Sequence, residues 1–141
     1  MLRVDSGLRF VQGCLVERNT KQRGAILKVL KEAEGPLTPP EIQQRAEQKC
    51  PGLGIATVYR LLKTLQADRS VLLVDIPGTA PRYEDGERPH HHHFHCRTCG
   101  KAFELDHCLP GVENLAPKKF KVESHEIVLY GSCDKCLENG N

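Results

Sequence analysis

The chain has 141 residues, enough for one ordinary domain or for two small ones that a metal or a partner chain would have to stabilise. No apolar run is long enough for a secretory signal, and none approaches the roughly 20 residues of a membrane span, so we place the protein in the cytoplasm. The net charge of +2 divides into a basic and an acidic half, with 12 Lys and Arg against 7 Asp and Glu in residues 1–70, and 8 against 11 in residues 71–141. The basic half suits a phosphate backbone, and the acidic half suits cations.

The first half has the pattern of three amphipathic helices. Thr20 is expected to cap the first, whose apolar residues recur at helical spacing until Gly35-Pro36 ends it. Thr38 caps the second, with Pro39 in its first turn. The third follows Gly54 and turns Ile55, Val58, Leu61, Leu62 and Leu65 inward.

Two short apolar segments follow the helices. Residues 71–74 and 82–84 are separated by a proline-bounded loop, which predicts a hairpin. Three helices and a hairpin make a winged helix-turn-helix, although a helical bundle that merely packs has the same pattern. In the winged-helix reading the third helix enters the major groove of DNA, with Thr57, Tyr59, Arg60 and Lys63 outward.

A polar segment, residues 85–89, separates the two halves. Beyond it we predict strands over residues 90–96, 102–105, 120–123 and 127–130, with a short helix over residues 111–115. The predicted fold is therefore α+β, with a winged-helix DNA-binding domain over residues 1–84, a hinge over residues 85–89 and a small α/β metal-binding domain over residues 90–141.

Two C-x-x-C pairs in the second half, Cys96 with Cys99 and Cys133 with Cys136, are the most specific motif. Four thiolates from two such turns close a tetrahedron around one zinc ion and leave no open position, which is typical of a structural site. Thioredoxin-like redox chemistry and rubredoxin-like iron are the alternatives. Cys14, Cys50 and Cys108 stand alone and are expected to be small buried hydrophobes, although Cys108 could be a spare ligand.

Four consecutive histidines, His90 to His93, precede the first cysteine pair. Side chains of a strand alternate between its faces, so His91 and His93 would serve one metal site and His90 and His92 another. The available partners are Glu84, Asp85, Glu104, Asp106, Glu113 and His125. The alternative is a solvated histidine tract that binds metal loosely.

An enzyme is not expected. A zinc deaminase needs H-x-E followed by P-C-x-x-C, but His95 precedes Cys96 and no H-x-E lies upstream. The H-E-x-x-H motif of metalloproteases is also missing, since His125-Glu126 continues as Ile127-Val128-Leu129.

The whole pattern resembles the ferric uptake regulator family of bacterial metalloregulators. The matching stretches are Thr20 to Arg23, Ala56 to Arg60, Arg82 to Glu84, His90 to Lys101, and His125 to the last cysteine pair. The resemblance implies a homodimer that represses transcription by binding a palindromic, AT-rich DNA operator when its corepressor metal is bound.

The resemblance also implies a role for each matching residue. Cys96, Cys99, Cys133 and Cys136 would hold structural zinc. Glu84, His91, His93 and Glu104 would hold a regulatory metal at the hinge, and His90, His92 and His125 a third ion, with Glu113 as the candidate carboxylate. Tyr59 and Arg60 would read the groove, with Arg18 near the minor groove.

The chain departs from the family pattern in ways that bear on the sensed metal. It has no histidine before His90, where iron and peroxide sensors usually carry one, and it has His92 where iron sensors often carry Asp. We therefore expect zinc rather than iron at the hinge. The alternatives are an iron- or peroxide-responsive member of the family, and a zinc-ribbon interaction module that does not bind specific DNA.

Overall fold

The computed structural model describes residues 7–140, with the side chains of residues 16–140. It is an α+β protein with a helical first part and a second part built on a small sheet, as predicted. The helices are α1 (Gly7–Glu32), α2 (Pro39–Lys49), α3 (Ile55–Ala67) and α4 (Asp134–Glu138), with a 3-10 helix over Val112–Leu115. The strands are β1 (Val71–Val74), β2 (Arg82–Asp85), β3 (His92–Cys96), β4 (Ala102–Leu105) and β5 (Val128–Gly131).

Helix α1 is much longer than the sequence pattern predicts. It begins at Gly7, so the expected cap at Thr20 is wrong. The Thr20 hydroxyl instead donates to the carbonyl of Val16 at 2.9 Å, a bond that a threonine makes inside a helix. Among the α1 side chains that are described, residues 16–32, the buried ones lie between Gln22 and Leu30, and this part carries the amphipathic pattern.

The next two helices confirm the sequence reading. The Thr38 N–H donates to the Glu41 carboxylate at 2.8 Å, Pro39 starts α2, and Ile42 and Ala46 are fully buried. In α3 the expected inward residues are buried except Ile55, which is 42% exposed because it lies at the first position of the helix. These three helices share one core.

A two-stranded antiparallel sheet forms the wing. Strand β1 pairs with β2, and Val71 lies opposite Asp85. Tyr83 also exchanges backbone hydrogen bonds with Leu37 at 2.8 and 2.9 Å, which ties the wing to the loop before α2. The three helices and the wing together have the winged-helix topology that the sequence predicts.

The second sheet has the strand order β4-β3-β5, with β3 antiparallel to β4 and parallel to β5. Strand β3 begins at His92 rather than at His90. Residues 120–123 do not form the expected strand; Phe120 is 72% exposed, and no described strand pairs with this segment. A strand needs a neighbour for its backbone hydrogen bonds, and alternation in the sequence does not supply one.

The two parts pack directly on each other. The Glu104 N–H donates to the carbonyl of Glu34 at 2.9 Å, and buried Arg82 donates to the carbonyls of Pro36 and Gly100. A small apolar cluster at the same contact joins Val74 and Ile76 to Ala102 and Val128. No helix among the described residues is long and apolar enough to cross a membrane.

Candidate metal centres

The four paired cysteines converge at one end of the second sheet. Cys96 ends β3, and the parallel pairing of Cys96 with Gly131 on β5 brings the second pair beside the first. The turn between Cys96 and Cys99 closes through Gly100, whose N–H donates to the Cys96 carbonyl at 2.8 Å and whose φ of 73° favours glycine. Cys133 caps α4, and Cys136 lies within it.

The sulfur positions fit a tetrahedral ion. Cys96 Sγ lies 3.9 Å from Cys136 Sγ, and Cys99 Sγ lies 3.9 Å from Cys133 Sγ. A tetrahedron with zinc–sulfur distances of about 2.3 Å has its sulfurs about 3.8 Å apart. The backbone N–H groups of Cys99 and Cys133 lower the pKa of Cys96 to about 6, whereas the Cys133 thiol raises the pKa of Cys136 to about 12. Four adjacent thiolates therefore need a cation to ionise together, so the donor set fits zinc.

A second group lies at the junction of the two parts. Glu84 comes from β2 of the wing, whereas His91 and His93 come from the start of the second sheet. The Glu84 Oε2 atom lies 2.9 Å from His91 Nε2 and 3.1 Å from His93 Nε2, and the two ring nitrogens lie 3.1 Å apart. All three side chains are at most 14% exposed, so the carboxylate and both imidazoles face one shielded point.

The local hydrogen bonds prepare this group for a cation. His91 Nδ1 lies 2.7 Å from the Pro89 carbonyl and donates to it, so with a metal bound Nε2 would present its lone pair to the ion. Burial raises the pKa of Glu84, but hydrogen bonds from His93 and His91 outweigh it and hold the pKa below its usual value. Glu84 is therefore a carboxylate at neutral pH, and the set suits a divalent ion.

Glu104 stands beside this group without joining it. It pairs with His93 across β3 and β4, so the two side chains share a face of the sheet. Its carboxylate forms an ion pair with Arg88, and the same guanidinium donates to the carbonyls of Leu30 and Ala33 at the end of α1 at 3.1 and 2.6 Å. The Glu104 carboxylate therefore lies next to the three hinge donors, but its charge is paired with the Arg88 guanidinium.

A third group lies on the opposite face of β3. It contains His90 and His92, as the alternation predicts, together with His125, which the resemblance implies, and its fourth member is Cys108. The four ligand atoms lie within 4.8 Å of one another. Burial, followed by the neighbouring charges of His90 and His125, lowers the pKa of His92 and keeps its ring neutral. Glu113 lies exposed on the 3-10 helix and is not part of the group.

The expected DNA-facing residues lie on the outer side of the helices. Tyr59 is 53% exposed on α3, Arg60 and Lys63 are exposed beside it, and Thr57 is half-buried. Arg18 is exposed on α1. No described acidic side chain forms an ion pair with Arg60 or Lys63, so both cations are free for phosphate or base contacts.

Two residues that lie at these groups were missed or left open by sequence reasoning. Arg88 was read only as part of a polar hinge, because nothing local to it signals a bond to the end of α1. Cys108 was left between a buried hydrophobe and a spare ligand; it is exposed, with its Sγ 3.0 Å from His125 Nε2. The adjacent His107 was the only local signal. Cys14 lies outside the residues whose side chains are described.

Comparisons with known proteins agree with this construction. The model of the ferric uptake regulator family matches residues 16–130. The ferric uptake regulation protein of Campylobacter jejuni is 36% identical over 124 residues, covering 83% of this chain and 78% of the relative. The peroxide-responsive repressor PerR of Staphylococcus epidermidis is 32% identical over 127 residues, covering 88% of this chain and 84% of the relative.

A solved structure extends the likeness to the whole fold. The Helicobacter pylori ferric uptake regulator, described as having three functional metal binding sites, superposes with a TM-score of 0.69 at 26% identity, and the match covers 100% of both chains. This chain therefore belongs to the ferric uptake regulator family, and it is a metal-responsive transcription regulator rather than an enzyme.

Proposed function

We propose that this protein is a cytoplasmic, homodimeric repressor that binds palindromic operator DNA when a corepressor metal occupies the site formed by Glu84, His91 and His93. One observation carries the proposal: the three donors converge within 3.1 Å although they come from both sides of residues 85–89. A ligand set that spans a junction links occupancy of the site to the position of the DNA-binding part.

The coupling follows from what the hinge residues hold. Glu84 of the wing and His91 and His93 of the second sheet would together hold a divalent cation, whose charge would keep the three donors in contact. Arg88 ties the same junction to the end of α1 and also holds Glu104. The metal-bound and metal-free proteins would then differ in how the wing lies against the second sheet and the end of α1. Such a switch works only through different metal affinities of the two arrangements.

Two features of the second part support this role: its four grouped cysteines and its exposed apolar side chains. Cys96, Cys99, Cys133 and Cys136 would hold a closed zinc site, which contributes folding free energy to a second part too small for a large core. This part also exposes large apolar side chains, which we assign to the contact with a second copy: Leu109, Leu115, Phe120, Val122, Leu129, Tyr130 and Leu137. The DNA surface would consist of Arg18, Thr57, Tyr59, Arg60 and Lys63.

Zinc is our preferred corepressor. Two imidazoles and one carboxylate suit both zinc and iron(II), so the donor types alone do not choose between them. Three ligands nearly complete a four-coordinate zinc site, and zinc binds more tightly than iron(II) to a given nitrogen and oxygen set. An iron(II) site with more ligands would need Glu104, which Arg88 holds. The second candidate is an iron- or peroxide-responsive repressor, which the names of both relatives favour.

The first test removes the hinge donors. In the double variant His91→Ala with His93→Ala, we expect the dimer and its cysteine-bound zinc to remain while metal-dependent operator binding is lost. DNA fragments are first selected from random sequence by the metal-loaded wild type, and affinity is then measured by fluorescence anisotropy. The double variant Lys118→Ala with Lys119→Ala, far from the site in the sequence and exposed, is the control. Metal-dependent binding that survives in the hinge variant would refute the assignment.

The second test identifies the metal. Protein that holds only its cysteine-bound zinc is titrated against buffered free zinc and, without oxygen, against Fe²⁺ while operator binding is followed. We expect buffered zinc to restore operator binding and Fe²⁺ to leave it unrestored. Restoration by Fe²⁺ but not by buffered zinc would favour the iron-responsive candidate. A failure to select any DNA would leave the zinc-ribbon interaction module as the better description.

A further inference from the structure

The group on the opposite face of β3 contains no carboxylate among the described residues. His90 Nε2 lies 3.2 Å from His125 Nε2, and His125 Nε2 lies 3.0 Å from Cys108 Sγ. The rings of His90 and His92 are 4.7 Å apart, centre to centre, and those of His92 and His125 are 5.0 Å apart. Around a tetrahedral zinc ion, ligand nitrogens lie about 3.4 Å from one another, so only small side-chain movements are needed.

His92 gives a second, independent sign of a missing ligand. The residue is 2% exposed, and its Nε2 atom is buried without a hydrogen-bond partner among the described residues. Its other ring nitrogen, Nδ1, accepts from the Ile127 N–H at 3.2 Å. A buried polar atom without a partner is rare in proteins and usually marks a water or an ion. Ligation through Nε2 would move the ring proton to Nδ1 and break the hydrogen bond from the Ile127 N–H.

Cys108 changes the chemistry of this site. The family resemblance implies a carboxylate as the fourth ligand, but Cys108 stands in that place and Glu113 does not. Three neutral imidazoles and one thiolate form a closed four-coordinate set with a single negative charge. Thiolate and imidazole favour zinc and cobalt(II), whereas manganese(II) and iron(II) are better served by carboxylates and water.

We propose that the Cys108 thiolate is the fourth ligand of this third site, where the family resemblance implies a carboxylate, and that it makes the group of His90, His92, Cys108 and His125 selective for a thiophilic divalent ion. The two faces of β3 thus carry different donor sets, Glu84 with two histidines on one and Cys108 with three histidines on the other. The site is distinct from the hinge group, and its existence does not depend on repression.

The test uses cobalt(II) as a spectroscopic probe of the full-length protein whose cysteine pairs keep their zinc. A thiolate bound to cobalt(II) absorbs strongly in the near ultraviolet through charge transfer, whereas imidazole and carboxylate ligands do not. We expect this band in wild type, its loss in Cys108→Ser, and no change in the matched thiol control Cys50→Ser. The hinge variant His91→Ala with His93→Ala should keep the band, because the hinge group has no thiol.

Affinity and alkylation give a second readout. Cobalt(II) affinity at this site should fall more than about tenfold in Cys108→Ser, the least that loss of even an outer-shell partner costs. Zinc should slow the alkylation of Cys108 by iodoacetamide, followed by mass spectrometry, and manganese(II) at the same concentration should not. A charge-transfer band that survives in Cys108→Ser, or Cys108 alkylation that zinc leaves unchanged, would overturn the proposal.

Discussion

At the scale of single residues, each histidine from His90 to His93 belongs to the donor group on its own side of the chain. His91 and His93 meet Glu84, whereas His90 and His92 meet Cys108 and His125. This separation was predictable, because alternation is a property of extended backbone and needs no tertiary information. The partner on each side was not predictable from spacing alone. Cys108 and Arg88 reach their positions through contacts that only the folded chain brings together.

Arg60 is the residue on which specific DNA recognition should depend most. Arg60→Ala is expected to weaken binding to the selected operator by about 1–3 kcal/mol and to change binding to random DNA little, as a base-reading arginine should. Its side chain is exposed on α3, so the substitution leaves the core intact. Anisotropy titrations on both DNAs at one fixed salt concentration give the two affinities.

The matched control is Arg45→Ala, which removes an exposed arginine from α2. It should change operator and random DNA by the same factor, if it changes either. An equal loss on both DNAs for Arg60→Ala would make Arg60 a phosphate contact only.

At the scale of elements, the turn between α1 and α2 packs on β4 at a position that admits only glycine. A Cβ atom on Gly35 would lie 2.3 Å from the Ala102 carbonyl oxygen and 2.8 Å from the Phe103 Cα. Both obstacles are backbone atoms, so a side-chain movement cannot relieve them. This close approach fixes the first part of the molecule against the second sheet, beside the hinge donors.

Gly35→Ala should therefore force the two parts away from each other. We expect a loss of about 1–3 kcal/mol in the free energy of unfolding, the usual cost of overpacking, and weaker metal binding at the hinge. Gly24→Ala is the control, because Gly24 lies within α1 and nothing is within 4 Å of its Cβ position. That change should stabilise the protein by about 0.5–1 kcal/mol. Urea unfolding measures the stability of both variants. A Gly35→Ala protein as stable as wild type would show that the contact between Gly35 and β4 can widen at no cost in free energy.

The elements also show where sequence patterns stop being informative. The cap at Thr38 and the buried face of α3 were predicted correctly, because both depend on local chemistry. The start of α1 was missed: residues 16–21, the part of the helix before Gln22 whose side chains are described, are all exposed and form no buried stripe that would indicate a helix. Residues 120–123 alternate like a strand, but pairing depends on a neighbour that local sequence does not specify.

At the scale of the whole molecule, the α+β fold and the grouping of the four cysteines could be predicted from the sequence, whereas the junction could not. Two C-x-x-C turns announce their site by spacing alone. The hinge group instead depends on how the wing lies against the second sheet. Glu84, which the family resemblance implies as a hinge ligand, is the donor that the wing brings to this group.

The central claim is that metal binding at the hinge and operator binding at the DNA surface are thermodynamically coupled. If metal at Glu84, His91 and His93 raises operator affinity, then operator must raise metal affinity by the same factor, because coupling between two binding sites is reciprocal. The decisive measurement is the zinc affinity of the hinge, by competition with a chromophoric chelator, with and without saturating operator DNA. A Cys108→Ser background removes the proposed ligand of the other site. We predict a gain of about 5- to 150-fold with operator, equal to the gain in DNA affinity with zinc. Equal zinc affinities in the two states would contradict the account.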